Sequence, residues 1–210
     1  MNVVSCKLHK YEDKTEEEIK KLLNETLPKD IQVFKFFEVS NAFDSKEMNN
    51  NREYHYILPT FCLEPRITED KERVPKAENN LQKYLGNYKY RISPELMEKV
   101  KLICADFKGS KKYHNYTRKM ASSDPSSRRH IYEVSVDELI DYDSFEAIRF
   151  KIVGQSFLYN QIRKMMGIII DICRYSKDMD YFANTFLDNK FDVVKAPAEG
   201  LYLSKVKFFI

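Results

Sequence analysis

The sequence predicts an α+β fold, a mostly antiparallel sheet with helices packed on it. Three observations carry this expectation. Short runs rich in β-branched and aromatic residues alternate irregularly with segments of helical periodicity, with no strict strand–helix–strand alternation and no internal repeat. The helical segments carry recognisable start signals. A chain of 210 residues with 43% hydrophobic and 32% charged content is long enough to bury one full core, and is read as a single domain spanning residues 1–210.

The elements follow in order. Val3 to Leu8 reads as a short apolar strand. Thr15 followed by Glu18 forms a capping box for a helix through Leu23 to Leu27, stopped by Pro28. Ile31–Val39 reads as a strand, and Arg52–Phe61 (REYHYILPTF) as a second, in which Arg52, Tyr54 and Tyr56 share one face. Glu64–Lys76, charged and holding Pro65 and Pro75, reads as a loop. Helices are expected over Ala77–Leu85 and over Pro94–Ala105, the latter with Ser93 as N-cap and Pro94 in the first position. A basic loop precedes strands at Arg129–Val136 and Phe145–Val153. Helices at Phe157–Arg174 and Met179–Leu187 come next, then the turn APAEG and a closing strand, LYLSKVKF.

Composition narrows the function classes. No apolar run approaches the roughly 20 residues that span a bilayer, and the N-terminus lacks the pattern of a secretory signal. A soluble intracellular protein is expected. Cys6, Cys62, Cys104 and Cys173 form no Cys-x-x-Cys pair, and the four histidines are as dispersed, so no metal site is expected. Net charge is only +3, but it is unevenly spread. Between Lys108 and His130 stand Lys108, Lys111, Lys112, Arg118, Lys119, Arg128 and Arg129 against the single acid Asp124. Tyr113, His114, Asn115 and Tyr116 are interleaved with them. A solvated basic loop is one reading. The other is an RNA contact, with cations for phosphates beside rings that stack on unpaired bases.

The helix FLYNQIRKMMGIIIDICRY carries the sharpest single signal. Leu158, Ile162, Met165, Met166, Ile169 and Cys173 form a core-facing stripe at helical spacing. Arg163 has Tyr159, Met166, Gly167 and Ile170 as its helical neighbours, a mainly apolar surface on which a guanidinium needs an acceptor. Arg163 is therefore either a structural ion-pair or snorkelling residue, or a site arginine holding an anion. Lys164, on a row with Asn160 and Asp171, is expected to face water. Tyr54 and Tyr56 are either core aromatics or, with Arg52, the flank of a flat ligand.

Several blocks in the right order resemble the TruA/Pus1 family of tRNA pseudouridine synthases. REYHY at Arg52–Tyr56 resembles the family's Arg-x-Tyr-x-Tyr strand, and GSKKYHNYT at Gly109–Thr117 its Gly-x-x-x-Phe-x-x-Phe-Thr loop. GQSFLYNQIRKMMG at Gly154–Gly167 is similar to the family's helix motif, and APAEGLYL at Ala196–Leu203 to its C-terminal turn and strand. YILPTF and DPSSRR look more like the eukaryotic Pus1 branch, which implies a nuclear or mitochondrial setting.

The resemblance implies a TruA-like fold and an isomerase of uridine in tRNA that needs no cofactor. Tyr54 matches the tyrosine that packs on the target base, Arg163 the arginine that pairs with the catalytic aspartate, and Leu201 the apolar lining of the uridine pocket. Arg52, Lys111, Lys112, His114, Tyr116, Arg128 and Arg129 are the further candidates for substrate contact. The family's aspartate sits in an Arg-Thr-Asp-x-Gly-Val-His motif just before the strand that here reads NVVSCKL. This sequence opens immediately after that place, and none of its aspartates, Asp44, Asp106 and Asp124 included, has the motif's context. The expectation is a C-terminal portion that is inactive by itself. A non-catalytic RNA-binding protein on the same scaffold and a plain interaction domain are the competing readings. tRNA affinity separates the second from both others.

Overall fold

The computed structural model describes residues 2–7, 13–65 and 89–208. The chain divides into two compact units, one of residues 2–49 with the far C-terminus and one of Asn50–Lys207.

In the first unit, helix α1 (Glu16–Thr26) begins at the expected capping box. The Thr15 amide donates to Glu18 Oε2 at 2.7 Å and the Glu18 amide to Thr15 Oγ1 at 3.3 Å. The Asn24 side chain holds the following segment, donating to Val33 O at 3.0 Å and accepting from the Val33 amide at 2.7 Å. Two expected strands do not form among the described residues. Residues 2–7 and 31–39 carry no ladder, with Leu8 lying outside the described residues. Strand propensity needs a partner edge to bond to, and neither segment has one here. Ile31 and Phe34 are accordingly exposed, 52% and 72%.

The second unit holds a five-stranded sheet. Its strands are β1 (Asn49–Pro59), β2 (Gly109–Lys112), β3 (Arg128–Asp141), β4 (Glu146–Gly154) and β5 (Leu201–Phe208), in spatial order β2-β3-β4-β1-β5. The registers of β1 on β4, β2 on β3 and β3 on β4 are antiparallel. Helix α2 (Pro94–Asp106) has the expected Ser93 cap, with the Leu96 amide donating to Ser93 Oγ at 3.2 Å and Pro94 at the start. Helices α3 (Gln161–Arg174) and α4 (Met179–Asn184) complete it. The expected helix Ala77–Leu85 and most of the expected loop before it lie outside the described residues.

Pairing puts Tyr54, Tyr56 and Leu58 opposite Ile152, Phe150 and Ile148, on the face covered by α2 and α3. The core is this face together with Val100, Ile103 and Cys104 of α2 and Ile162, Met165, Met166, Ile169 and Cys173 of α3. The expected stripe of α3 is thus buried, with Leu158 packed at its edge. Ile168 and Ile172 are buried as well, so α3 is enclosed over more of its circumference than the stripe required. The other sheet face is a set of charge pairs. Lys151 meets Glu133 at 2.9 Å, Arg149 meets Asp137 and Glu138 at 2.7 Å each, and His55 meets Glu53 at 3.1 Å. An antiparallel sheet with one packed and one polar face follows from the alternation along its strands.

Two boundaries matter for the site. The basic segment is not wholly a loop: Gly109 (φ 100°) turns the chain from α2 into β2, which runs along the start of β3. Helix α3 starts at Gln161 rather than Phe157. Residues 157–160 make a separate turn in which the Gln161 side chain accepts from the Leu158 amide at 2.8 Å and Asn160 takes a left-handed conformation, φ 62°.

Candidate active site

The site is built where the turn 194–200 passes between α3 and β1. On the α3 side, Arg163 and Ala196 bond in both directions. Arg163 Nε donates to Ala196 O at 2.8 Å, and the Ala196 amide donates to Arg163 O at 3.0 Å. One turn further along α3, a Cβ on Gly167 would stand 1.9 Å from Val194 O, so only glycine lets the two backbones approach so closely. On the β1 side, Tyr56 Oη donates to Pro197 O at 2.8 Å and the Ile57 amide to Gly200 O at 2.9 Å. A Cβ on Gly200 would lie 2.4 Å from Ile57 O. The APAEG turn is therefore a clamp that ties helix to sheet.

Arg163 is half-buried. Its Nη1 also donates to Asn160 Oδ1 at 3.4 Å, a long bond to the left-handed residue that precedes the helix. A guanidinium has five N–H donors, so these two contacts leave capacity for a bidentate anion. Among the described residues no carboxylate forms an ion pair with it. Burial pushes the Tyr56 phenol up to about 12; the Cys62 thiol adds to that rise, and the Arg163 guanidinium opposes it.

Tyr54 stands on the same face of β1 as Tyr56 and is half-buried. Its ring meets the edge of Phe157 with centroids 5.3 Å apart at 86°. Phe157 also closes over Gly154, where a Cβ would come within 2.7 Å of its ring. Leu201 follows the clamp, half-buried against the core, its amide donating to Ala198 O at 3.0 Å. Arg52 lies opposite Gly154, which lies opposite Ile131, which lies opposite Gly109. One end of the sheet thus gathers Arg52, the Phe157 turn and the basic segment.

The structure sorts the basic segment into two groups. Tyr116 and Tyr113 are fully buried; Tyr116 stacks on Phe186 (5.3 Å, 25°) and its hydroxyl bonds Thr185 Oγ1 at 2.7 Å. His114 is 5% exposed, its Nε2 3.4 Å from Asn189 O. Lys111 lies over the Phe186 ring at 4.8 Å and bonds Asp106 O, and burial holds its pKa below the usual lysine value. Lys112 pairs with Asp188 at 2.6 Å, and Arg129 donates to the Ser126 and Arg128 carbonyls. Tyr116 and His114 offer no ring face to a base, contrary to the sequence reading, because the aromatic pattern serves the core beneath α4. Arg118, Lys119 and Arg128 remain exposed and without an ion pair among the described residues.

Tyr116→Phe should accordingly lower stability by about 1 kcal/mol through one buried hydrogen bond. It should leave RNA affinity unchanged, as a melting curve and a titration on the same sample would show.

The sequence reading missed two contributors. Asn160 carried no signal beyond its amide. Lys164 was expected in water but is half-buried and bonded to the backbone of residues 115 and 117, at 2.9 and 3.2 Å.

Comparison with known proteins bears directly on this constellation. A family model described as tRNA pseudouridine synthase matches residues 103–208, half of the chain, and takes in the basic segment, α3, the clamp and β5. The chain is 32% identical to the mouse pseudouridylate synthase 1 homolog over 89% of its own length and 40% of that protein's. It is 32% identical to the human pseudouridylate synthase 1 homolog over 98% of its own length and 44% of that protein's. With the Saccharomyces cerevisiae tRNA pseudouridine synthase 1 the identity is 27%, over 91% and 47%. The chain spans less than half the length of each of these three relatives. The clamp glycine, the arginine held beneath it and the tyrosine strand all fall within the matched region of the human relative, and the chain belongs to the tRNA pseudouridine synthase family.

Proposed function

We propose that this chain supplies the base-positioning and tRNA-binding part of an enzyme that isomerises uridine to pseudouridine in tRNA. In that reaction the bond from C1′ to N1 breaks, the base turns, and C5 joins C1′. The proton at C5 is lost and N1 gains one, so the atoms balance with no cofactor. The observation that carries this reading is Arg163, half-buried, oriented by Ala196 and Asn160, and left with donors directed at no carboxylate among the described residues. An aspartate in bidentate contact there would be held ionised, as a nucleophile at C1′ or a base at C2′ requires.

Tyr54 would pack on the extruded base, with Leu201 lining the same pocket. Arg52 and Arg128, with Arg118 and Lys119, would meet phosphates, while Arg129 would brace the backbone that carries Arg128. Lys111, Lys112, His114 and Tyr116 would act beneath them, holding the segment that presents these charges. No helix among the described residues is long and apolar enough to cross a membrane. A nuclear or mitochondrial setting belongs to the same proposal, supported by the resemblance to the eukaryotic branch, and a fluorescent fusion checks it.

The test is a titration of the 210-residue chain with a tRNA transcript at low and high salt, followed by carbodiimide mapping of pseudouridine. Salt-sensitive binding without isomerisation is expected of the chain alone. Isomerisation should appear when a segment bearing the family's Arg-Thr-Asp-x-Gly motif is supplied in cis or in trans. No binding at low salt overturns the reading. Binding with no isomerisation in any complemented form would leave the non-catalytic RNA-binding alternative in its place.

A further inference from the structure

Lys164 sits beside Arg163 in the first turn of α3 and is half-buried. Its Nζ donates to Asn115 O at 2.9 Å and Thr117 O at 3.2 Å. A third bond joins the same two segments, from Thr117 Oγ1 to Tyr159 O at 3.0 Å. Burial lowers the Lys164 pKa, with Lys195 adding to the fall and Asp192 opposing it. Its charge is thus spent on two backbone carbonyls at a desolvation cost, where a solvated lysine would bear none. Immediately after Thr117 come the exposed Arg118 and Lys119, the latter with a positive φ of 50°. Asn115 fixes the other end of this stretch, donating to Thr185 O and Asn189 O at 3.0 Å each and accepting from the Phe191 amide at 3.0 Å.

We infer that Lys164 is a positioning residue for RNA recognition: it locks residues 115–117 onto the helix that carries Arg163, and so fixes the Arg118–Lys119 pair at a set distance from the uridine pocket. Successive residues of one helical turn then have separate tasks. Arg163 holds the clamp and faces the chemistry, while Lys164 holds the charged loop. An enzyme that must extract one base from a folded RNA needs its phosphate contacts in fixed register with its pocket, since loosely tethered cations bind without aligning.

The inference rests on the tRNA reading above, and its test separates the two. Wild type, Lys164→Met, Lys164→Arg, the pair Arg118→Ala/Lys119→Ala, and the combination with Lys164→Met are titrated with one tRNA transcript over a range of salt. Lys164→Met should weaken binding about tenfold and reduce the salt slope by about one to two, the share of two phosphate contacts. Lys164→Arg should recover most of the affinity. Adding Lys164→Met to the Arg118/Lys119 double variant should cost little more, because the lysine acts through that pair. Additive losses would overturn the inference, as would a Lys164→Met protein that binds with wild-type affinity and slope. Should Lys164→Met fail to fold, Thr117→Val removes the third bond and should lower the salt slope in the same direction; an unchanged slope would then overturn it. Wild-type chain that does not bind tRNA at low salt removes the tRNA reading itself, and this inference with it.

Discussion

Replacing Gly167 by alanine should destabilise the chain, although alanine is the better helix former. The added Cβ would stand 1.9 Å from Val194 O and 2.8 Å from Val194 C, and both are backbone atoms with no rotamer to change. Ala196 next to them is tied in both directions to Arg163, so the turn cannot retreat without breaking those bonds. Overpacking of this kind costs about 3 kcal/mol or more. The gain in helix propensity from glycine to alanine returns about 1 kcal/mol. The net loss of about 2 kcal/mol should lower Tm by about 4–8 °C for a chain of this size. A thermal melt decides it: a Tm that rises on substitution would show that the close approach does not exist.

Arg163→Met is the second large effect, and it should appear in two measurements. In the chain alone, the variant leaves Ala196 O, in a residue only 3% exposed, without its side-chain donor, at a cost of about 1–3 kcal/mol. In a catalytically complete protein, the proposed pairing of Arg163 with an aspartate predicts that isomerisation should fall by about a hundredfold or more, the scale of a lost electrostatic contact to the reacting centre. Arg163→Lys should restore part of the charge but not the bond geometry, because lysine has no Nε–H to place on Ala196 while directing a fork elsewhere. Stability that falls while turnover stays near normal would reduce Arg163 to a structural tie. Tyr54→Ala should likewise depress turnover in the complete protein, and near-normal activity would remove its assignment to the target base.

Much of the fold was legible because its signals are local. The Thr15–Glu18 box, the Ser93–Pro94 start and the stripe of α3 depend on residues within one or two turns, and the structure forms each where expected. The period-2 pattern of β1 placed Tyr54 and Tyr56 on one face for the same reason. The failures lie where a partner decides. GSKK has no strand propensity, yet it pairs as β2 because the edge of β3 is available to it. Residues 31–39 have strong propensity and no ladder. Tyr116 among cations read as a ring for an unpaired base, and its stacking on Phe186, 70 positions along, buries it instead.

The sequence alone determined which residues are chemically unusual here. It marked an arginine on an apolar helix face, tyrosines alternating on a strand that opens with arginine, and a charge-dense segment in a nearly neutral chain. What it did not contain was who satisfies whom. Arg163 is answered by a carbonyl 33 residues away and Lys164 by carbonyls 47 and 49 residues away. Backbone oxygens are the same at every position, so nothing in the letters distinguishes the one that accepts. Only the folded path of the chain brings that carbonyl to the charge, and with it decides whether a lysine reaches solvent or holds a neighbouring loop in place.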